Sequence, residues 1–348
     1  ITIRSIIMQI IVLVLTFLFI KNQDDYYIYA VISMFSSVGA NILNYFYIKK
    51  YCNFKFTFKI NYKKHLKPIL LLFTSGIAVT IYNSSDTTML GIMKSDYDVG
   101  IYYVGSKIYS IVKKLINSGM NVTIPRLSYY RTHDMLDDYN KLLNNIFKLL
   151  IIIVLPMCVG LIILSKEVIL IISGESYLSA TMPLKILSVA FFTAAFAYFF
   201  TDLVLIINKE DKKLFIANTL AAAANFLLNL FFIKKWSYSG AAFTTLIAEI
   251  IVVLFSYIYS RKYFKIHRIK KILFSSILGC LLMFGYSLLI NTLKLRLILA
   301  SNNIVSYYLL SDNFNFSFAF GSVVTTVLMI FLVVLFLTFM TSSKSISS

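Results

Sequence analysis

The sequence predicts an all-α polytopic membrane protein with about ten transmembrane helices, and three observations predict it. Of the 348 residues, 59% are apolar and only 14% charged, at a mean hydropathy of +0.80; soluble domains carry about 45–50% apolar and about 25% charged residues. Apolar segments of about 20 residues, each enough to cross a hydrocarbon core of about 30 Å, recur down the whole chain. These segments are too long for barrel strands of about 9–11 residues and lack their alternating polarity.

The spans fall at residues 3–20, 26–48, 68–93, 99–123, 145–164, 184–207, 213–233, 239–260, 271–290 and 317–340. The first, "ITIRSIIMQIIVLVLTFLFI", opens at Ile1 without an initiating Met or a cleavage pattern, so an N-terminal truncation is expected. A basic cytoplasmic linker, residues 51–67, separates the first two spans from the third. The remaining loops are short, the longest outer one running from Asn291 to Asn315, and none holds a soluble catalytic domain. Residues 17–51 and 230–263 echo one another: each has a helix end with "FIK", a short polar loop, a second helix and a basic exit. Repeated halves are common among transporters, although two membrane hairpins also look alike by composition.

Charge sets the orientation. If the first span starts inside, 22 of the 33 Lys and Arg residues lie on the cytoplasmic side, eight outside and three within a span. The positive-inside rule supports this arrangement and accounts for the formal net charge of +18. The cations then sit beside anionic headgroups of membrane lipid, which leaves no reason to invoke nucleic acid. Cys52, Cys158 and Cys280 show no disulfide or metal spacing and are expected to be packing residues.

Polar groups at membrane depth carry the functional signal, the ionisable ones above all, because each of those costs at least about 2.5–3.5 kcal/mol to insert. In "YNSSDTT", Asn83, Asp86 and Thr87 share one helical face. In the next span Tyr103, Lys107, Ser110, Lys114, Asn117 and Asn121 form a single stripe, and Lys113 lies off it, free to snorkel or pair elsewhere. A cationic stripe suits an anionic headgroup, since Lys acts as a point charge for phosphate; the alternative is that Lys114 and Arg126 only anchor the inner helix end. Asn225 and Asn229 lie one turn apart, followed by Thr245. With Asp86 these form either a hard-oxygen cation site or interhelical hydrogen-bond glue worth about 0.6 kcal/mol per contact. Asp202 and Glu249 are further intramembrane acids, suited to proton relay or to pairing with a lysine of the stripe. The three His residues, at positions 65, 133 and 267, all lie in inner loops, so no His–carboxylate constellation for acid–base or metal chemistry exists at membrane depth. An enzyme is not expected, nor a cofactor, nor a metal beyond a sodium ion.

"KPILLLFTSGIAVTIYNSSDTTMLG", "DVGIYYVGSKIYSIVKKLINS", "VTIPRLSYYR" and "NFLLNLFFIKKWSYSGAAFTTLIAE" together resemble the polysaccharide and O-antigen flippases of the multidrug/oligosaccharidyl-lipid/polysaccharide exporter superfamily. The resemblance runs over nearly the whole chain and is strongest from Lys67 to Phe264. It implies a fourteen-helix, two-bundle fold with helices one to four missing here. Residues 1–50 would be the last two helices of the N-terminal bundle, 68–260 the C-terminal six-helix bundle, and 271–340 two additional helices. It further implies movement of undecaprenyl-diphosphate-linked oligosaccharide repeat units across the bacterial cytoplasmic membrane by alternating access, alongside a polysaccharide polymerase and other pathway proteins. Lys107, Lys114 and Arg126 would hold the diphosphate, and Tyr103, Asn117 and Asn121 the sugar or polar headgroup. By the same resemblance Asp86, Asn225, Asn229, Thr245 and the Ala241 carbonyl match a sodium site of related lipid II flippases. Asn229 stands where an acid is expected, which leaves sodium and proton coupling both open. Two other readings remain: a cation-coupled multidrug exporter, against which the Lys stripe argues, and a membrane polymerase or glycosyltransferase, which would need a large outer loop.

Overall fold

The computed structural model describes residues 2–21, 84–266 and 269–300, together with residues 25, 27–29, 31–32, 34 and 38–39. The basic linker 51–67, Asn83, Cys52, most of the 26–48 span, the first part of the 68–93 span and the 317–340 span lie outside the described residues. The chain divides into two units, Ile1–Ser75 and Gly76–Ser348.

In the first unit α1 (Thr2–Phe19) is an apolar helix whose one hydroxyl in the last turn, Thr16, donates back to the Val12 carbonyl at 2.8 Å. That bond satisfies the polar group without a partner outside the helix. Leu13, Phe17, Leu18 and Phe19 are exposed, a surface suited to acyl chains.

The second unit begins with α2, helical over residues 84–93. Next comes α3 (Asp96–Asn121), whose start is set by Ser95: its hydroxyl accepts the Asp98 N–H, and Asp96 and Asp98 occupy the dipole-favoured first turn. The short α4 (Ile124–Thr132) leads into α5 (Leu136–Ile163), which starts nine residues before the apolar span read from the sequence. Then follow α6 (Ser165–Ser173), a 3-10 turn at Glu175–Ala180, and α7 (Thr181–Tyr198). Helix α7 continues as a π-helix through Phe199–Ile206. Its widened turns offer carbonyls to outside donors: the Ser260 hydroxyl reaches the Phe200 carbonyl and the Tyr139 hydroxyl reaches that of Leu203, both at 3.3 Å.

Fifty residues make up α8 (Asp211–Ser260), which would be about 75 Å long if straight. It is instead two limbs folded back at Ser237, whose φ of 46° and ψ of −128° are non-helical. Asn229 and Thr244, 15 residues apart, are hydrogen-bonded across the fold, and the Phe232 and Phe243 rings lie 5.2 Å apart. Gly240 makes the close approach: a Cβ there would fall 2.1 Å from the Phe232 carbonyl oxygen. The two limbs therefore correspond to the separate spans 213–233 and 239–260. Helix α9 (Lys270–Ala300) runs ten residues beyond the predicted end at residue 290. The extension "NTLKLRLILA" holds good helix formers and neither Gly nor Pro to stop it.

Among the described residues, Leu136–Ile163, Glu175–Ile206 and Asp211–Ser260 are long and apolar enough to cross a membrane. Their inner faces meet around Phe147, whose ring contacts those of Phe196 and Phe199 edge-on at 5.3 Å. Cys158 and Cys280 are both buried, and the Cys158 thiol donates to the Ser188 carbonyl at 3.1 Å. These two thiols pack.

Candidate functional site

The site lies where α2 and α3 meet the two limbs of α8. Two contacts hold these elements together at the α2–α3 turn: Lys94 Nζ donates to the Lys234 carbonyl at 3.1 Å, and the Ser237 hydroxyl donates to the Asp98 carboxylate. The bend of α8 is thus pinned to the start of α3, and the residues one to two turns away are set against each other.

Asp86 is the centre. Its Oδ2 accepts hydrogen bonds from Tyr102 (2.8 Å) on α3 and Thr245 (2.6 Å) on the second limb of α8. Its Oδ1 accepts from Asn229 Nδ2 (2.6 Å) on the first limb. Asn229, fully buried, also donates to Asn225 Oδ1 at 3.3 Å and accepts from the Thr244 hydroxyl. The Ala241 carbonyl lies within hydrogen-bond reach of the same two threonine hydroxyls, 2.8 Å from Thr244 and 3.0 Å from Thr245, as the alternative acceptor for each, and Ser85 donates to Asn225 Oδ1 at 3.3 Å. Four helical segments therefore converge on one carboxylate. Three donors to an ionised acid are charge-assisted bonds, stronger than neutral ones.

The chemistry of this set is that of hard oxygen: one carboxylate, four hydroxyls, two amide oxygens and a main-chain carbonyl. Such ligands suit a small hard cation rather than a soft metal. Among the described residues no group of three His, Cys, Asp or Glu side chains comes together.

Beside Asp86 opens a cavity of about 420 Å³, with Ser106, Ser110, Lys113, Lys114, Asn117 and Glu249 in its wall. Lys113 is paired with Glu249, and the Tyr109 hydroxyl donates to the same carboxylate oxygen at 2.7 Å. The Asn117 Oδ1 is buried without a hydrogen-bond partner.

Of the residues singled out from the sequence, Asp86, Asn225, Asn229, Thr245 and the Ala241 carbonyl are brought together. The predicted stripe on α3 divides. Lys114 and Asn117 line the cavity, while Tyr103 and Lys107 lie on an exposed face with the ammonium 5.8 Å from the Tyr103 ring centroid. Asn121 bonds the Tyr198 hydroxyl, and Arg126, exposed, donates to the Tyr130 hydroxyl at 2.8 Å. Asp202 sits in the π-helix and accepts from Thr201 at 2.6 Å, outside the cavity wall. Glu249 pairs with Lys113 rather than with a lysine of the stripe.

Sequence reasoning missed Tyr102, Tyr109 and Thr244, and set Lys113 off the stripe without naming its partner. A signal was present: Tyr102, Ser106, Tyr109, Lys113 and Asn117 recur at i, i+4, i+7, i+11 and i+15, a second polar stripe beside the first.

A family model described as polysaccharide biosynthesis protein matches residues 1–131. No curated protein matches the chain. Among solved structures, that of the lipid II flippase MurJ in an inward closed conformation matches with a TM-score of 0.71 at 21% sequence identity, over 99% of this chain and 67% of that one. The chain is a multi-pass membrane protein and shares the all-helical fold of that transporter.

Proposed function

We propose that the protein translocates undecaprenyl-diphosphate-linked oligosaccharide repeat units across the bacterial cytoplasmic membrane, for capsule, O-antigen or exopolysaccharide synthesis, coupled to sodium or protons. One observation carries the reading: a polar cavity inside a membrane-embedded helical body has lysines in one wall and a triply hydrogen-bonded carboxylate in the other. Charged groups at membrane depth mark substrate and ion pathways, and a lysine wall suits a diphosphate whose lipid tail stays in the bilayer. Organic cations would instead want an excess of acid, whereas here Asp86 and Glu249 are matched by Lys113 and Lys114, which weighs against multidrug export.

In this reading Lys107, Lys114 and Arg126 attract the diphosphate, and Tyr103, Asn117 and Asn121 contact the polar headgroup or sugars. Asp86, Asn225, Asn229, Thr245 and the Ala241 carbonyl take the coupling cation. Residues 1–50 would close one bundle, 68–260 form the other, and 271–340 add the last helices, with a polymerase acting on the product.

The test is complementation in a strain lacking its own flippase, with the full-length protein. Lys114→Ala, in the cavity wall, should abolish surface polysaccharide while membrane levels of the protein stay unchanged. Normal polymer from that variant refutes the substrate assignment.

A further inference from the structure

The cavity contains a charge pair to which the roles above give no task. Lys113 and Tyr109 both donate to Glu249 Oε1. The partners differ in access: the Lys113 side chain is 31% exposed and that of Glu249 only 11%. Both line the cavity, with the Lys113 side chain the more accessible of the two. Lys114 faces the same space, so two ammonium groups stand against the two carboxylates of Asp86 and Glu249.

The two carboxylates are held by the same pair of helices, α3 and α8: Asp86, on α2, takes bonds from Tyr102 and Thr245, and Glu249, itself on α8, takes one from Tyr109. Glu249 follows Thr245 by one turn of α8, about 6 Å of rise. On α3, Tyr102 holds Asp86 and Tyr109, two turns on, holds Glu249.

We propose that the Lys113–Glu249 pair is an anion-operated switch: a diphosphate entering the cavity takes Lys113 from Glu249, and the freed carboxylate adds its charge to the cation site at Asp86. The inference rests on the function proposed above for the identity of the two ligands. Lys113 has a flexible four-carbon stem and can follow an anion; Glu249, in the wall and bonded to Tyr109, stays. A carboxylate stripped of its cation is unfavourable in a poorly solvated site, so a small cation is drawn toward it. By linkage the cation strengthens anion binding by the same factor. No bond is made or broken covalently.

The test uses the full-length protein in nanodiscs with inorganic pyrophosphate as the probe. Without sodium, Glu249→Gln should bind pyrophosphate about five-fold or more tightly than the wild type, the lower end of common coupling, because Lys113 loses its internal competitor. Equal or weaker binding overturns the exchange. Lys113→Ala should bind it more weakly, and unchanged affinity likewise overturns it. In thermal unfolding, pyrophosphate should lower the half-saturating sodium concentration of the wild type by about five-fold or more, and Glu249→Gln should lose that shift. A shift retained in Glu249→Gln refutes the switch. A wild type and Asp86→Ala that both ignore sodium refute the cation-site reading instead, while the pyrophosphate arm still decides the exchange. Farnesyl diphosphate distinguishes a lipid-borne from a free diphosphate: a Glu249-dependent shift with either supports the switch, and a shift with neither overturns it.

Discussion

Asn229→Asp probes the carboxylate centre most sharply, because it turns a hydrogen-bond donor into a like charge. Asn229 Nδ2 lies 2.6 Å from Asp86 Oδ1, and the residue is fully buried, so the new side chain has no route to solvent. The substitution removes one bond to a charged acceptor, worth about 2 kcal/mol. It also sets two carboxylates about 4 Å apart, where they repel by about 4 kcal/mol at an effective dielectric of about 20. Relaxation lowers the sum, and the expected destabilisation in choline chloride is about 4–6 kcal/mol. Sodium should reverse much of it, since a cation between two acids removes the repulsion and binds more tightly than to one; at 100 times its Kd a ligand stabilises by about 2.7 kcal/mol. The assay is thermal unfolding in detergent at constant ionic strength, with sodium exchanged for choline. Equal midpoints for variant and wild type in choline, or a sodium response no larger in the variant, would refute the geometry of the site.

Two further predictions concern the scaffold. Gly240→Ala puts a methyl group 2.1 Å from the Phe232 carbonyl oxygen, a main-chain atom that cannot rotate aside; the limbs of α8 must part, at a cost of about 3 kcal/mol, read as a lowered unfolding midpoint. Outside the spans, hydrogen bonds first from Tyr263 and then from Lys213 hold the Glu210 carboxyl below its usual range. A group with a depressed folded pKa adds stability above its unfolded value, about 4.3 for Glu, and loses it as pH falls through the folded value. Glu210→Gln should therefore melt below the wild type at pH 7, with the difference closing below about pH 4, as melting curves across that range would show.

Much of this architecture is legible in the sequence because the bilayer restricts the choices. Backbone groups in hydrocarbon must be satisfied internally, so long apolar segments become helices. The segments 213–233 and 239–260 were separable because "KKWSYSG" breaks the apolar run with charge and a glycine. The end of α9 was not legible: it rests on helix propensity in a stretch whose Lys and Arg looked like loop. Similarly, the start of α5 lies in polar residues, where hydropathy is silent and the first-turn Asp137 and Asp138 are the better marker.

At the site, spacing along one helix fixed what could share a face. Asn225 and Asn229, or Asp86 and the polar residues around it, follow from 3.6 residues per turn. What spacing left open is how each helix is rotated against its neighbours. On α3 two polar stripes lie side by side, one through Lys107 and Lys114, the other through Tyr102, Tyr109 and Lys113. Both fit the helical period equally well, and about 100° per residue separates them. By itself the sequence determined the helical membrane fold and the intramembrane polar residues, because hydropathy acts locally along the chain. Tertiary structure alone decided that Lys113 meets Glu249 and that Tyr102, Thr245 and Asn229 share Asp86, because these contacts depend on the bend at Ser237 and on the packing of α3 against α8.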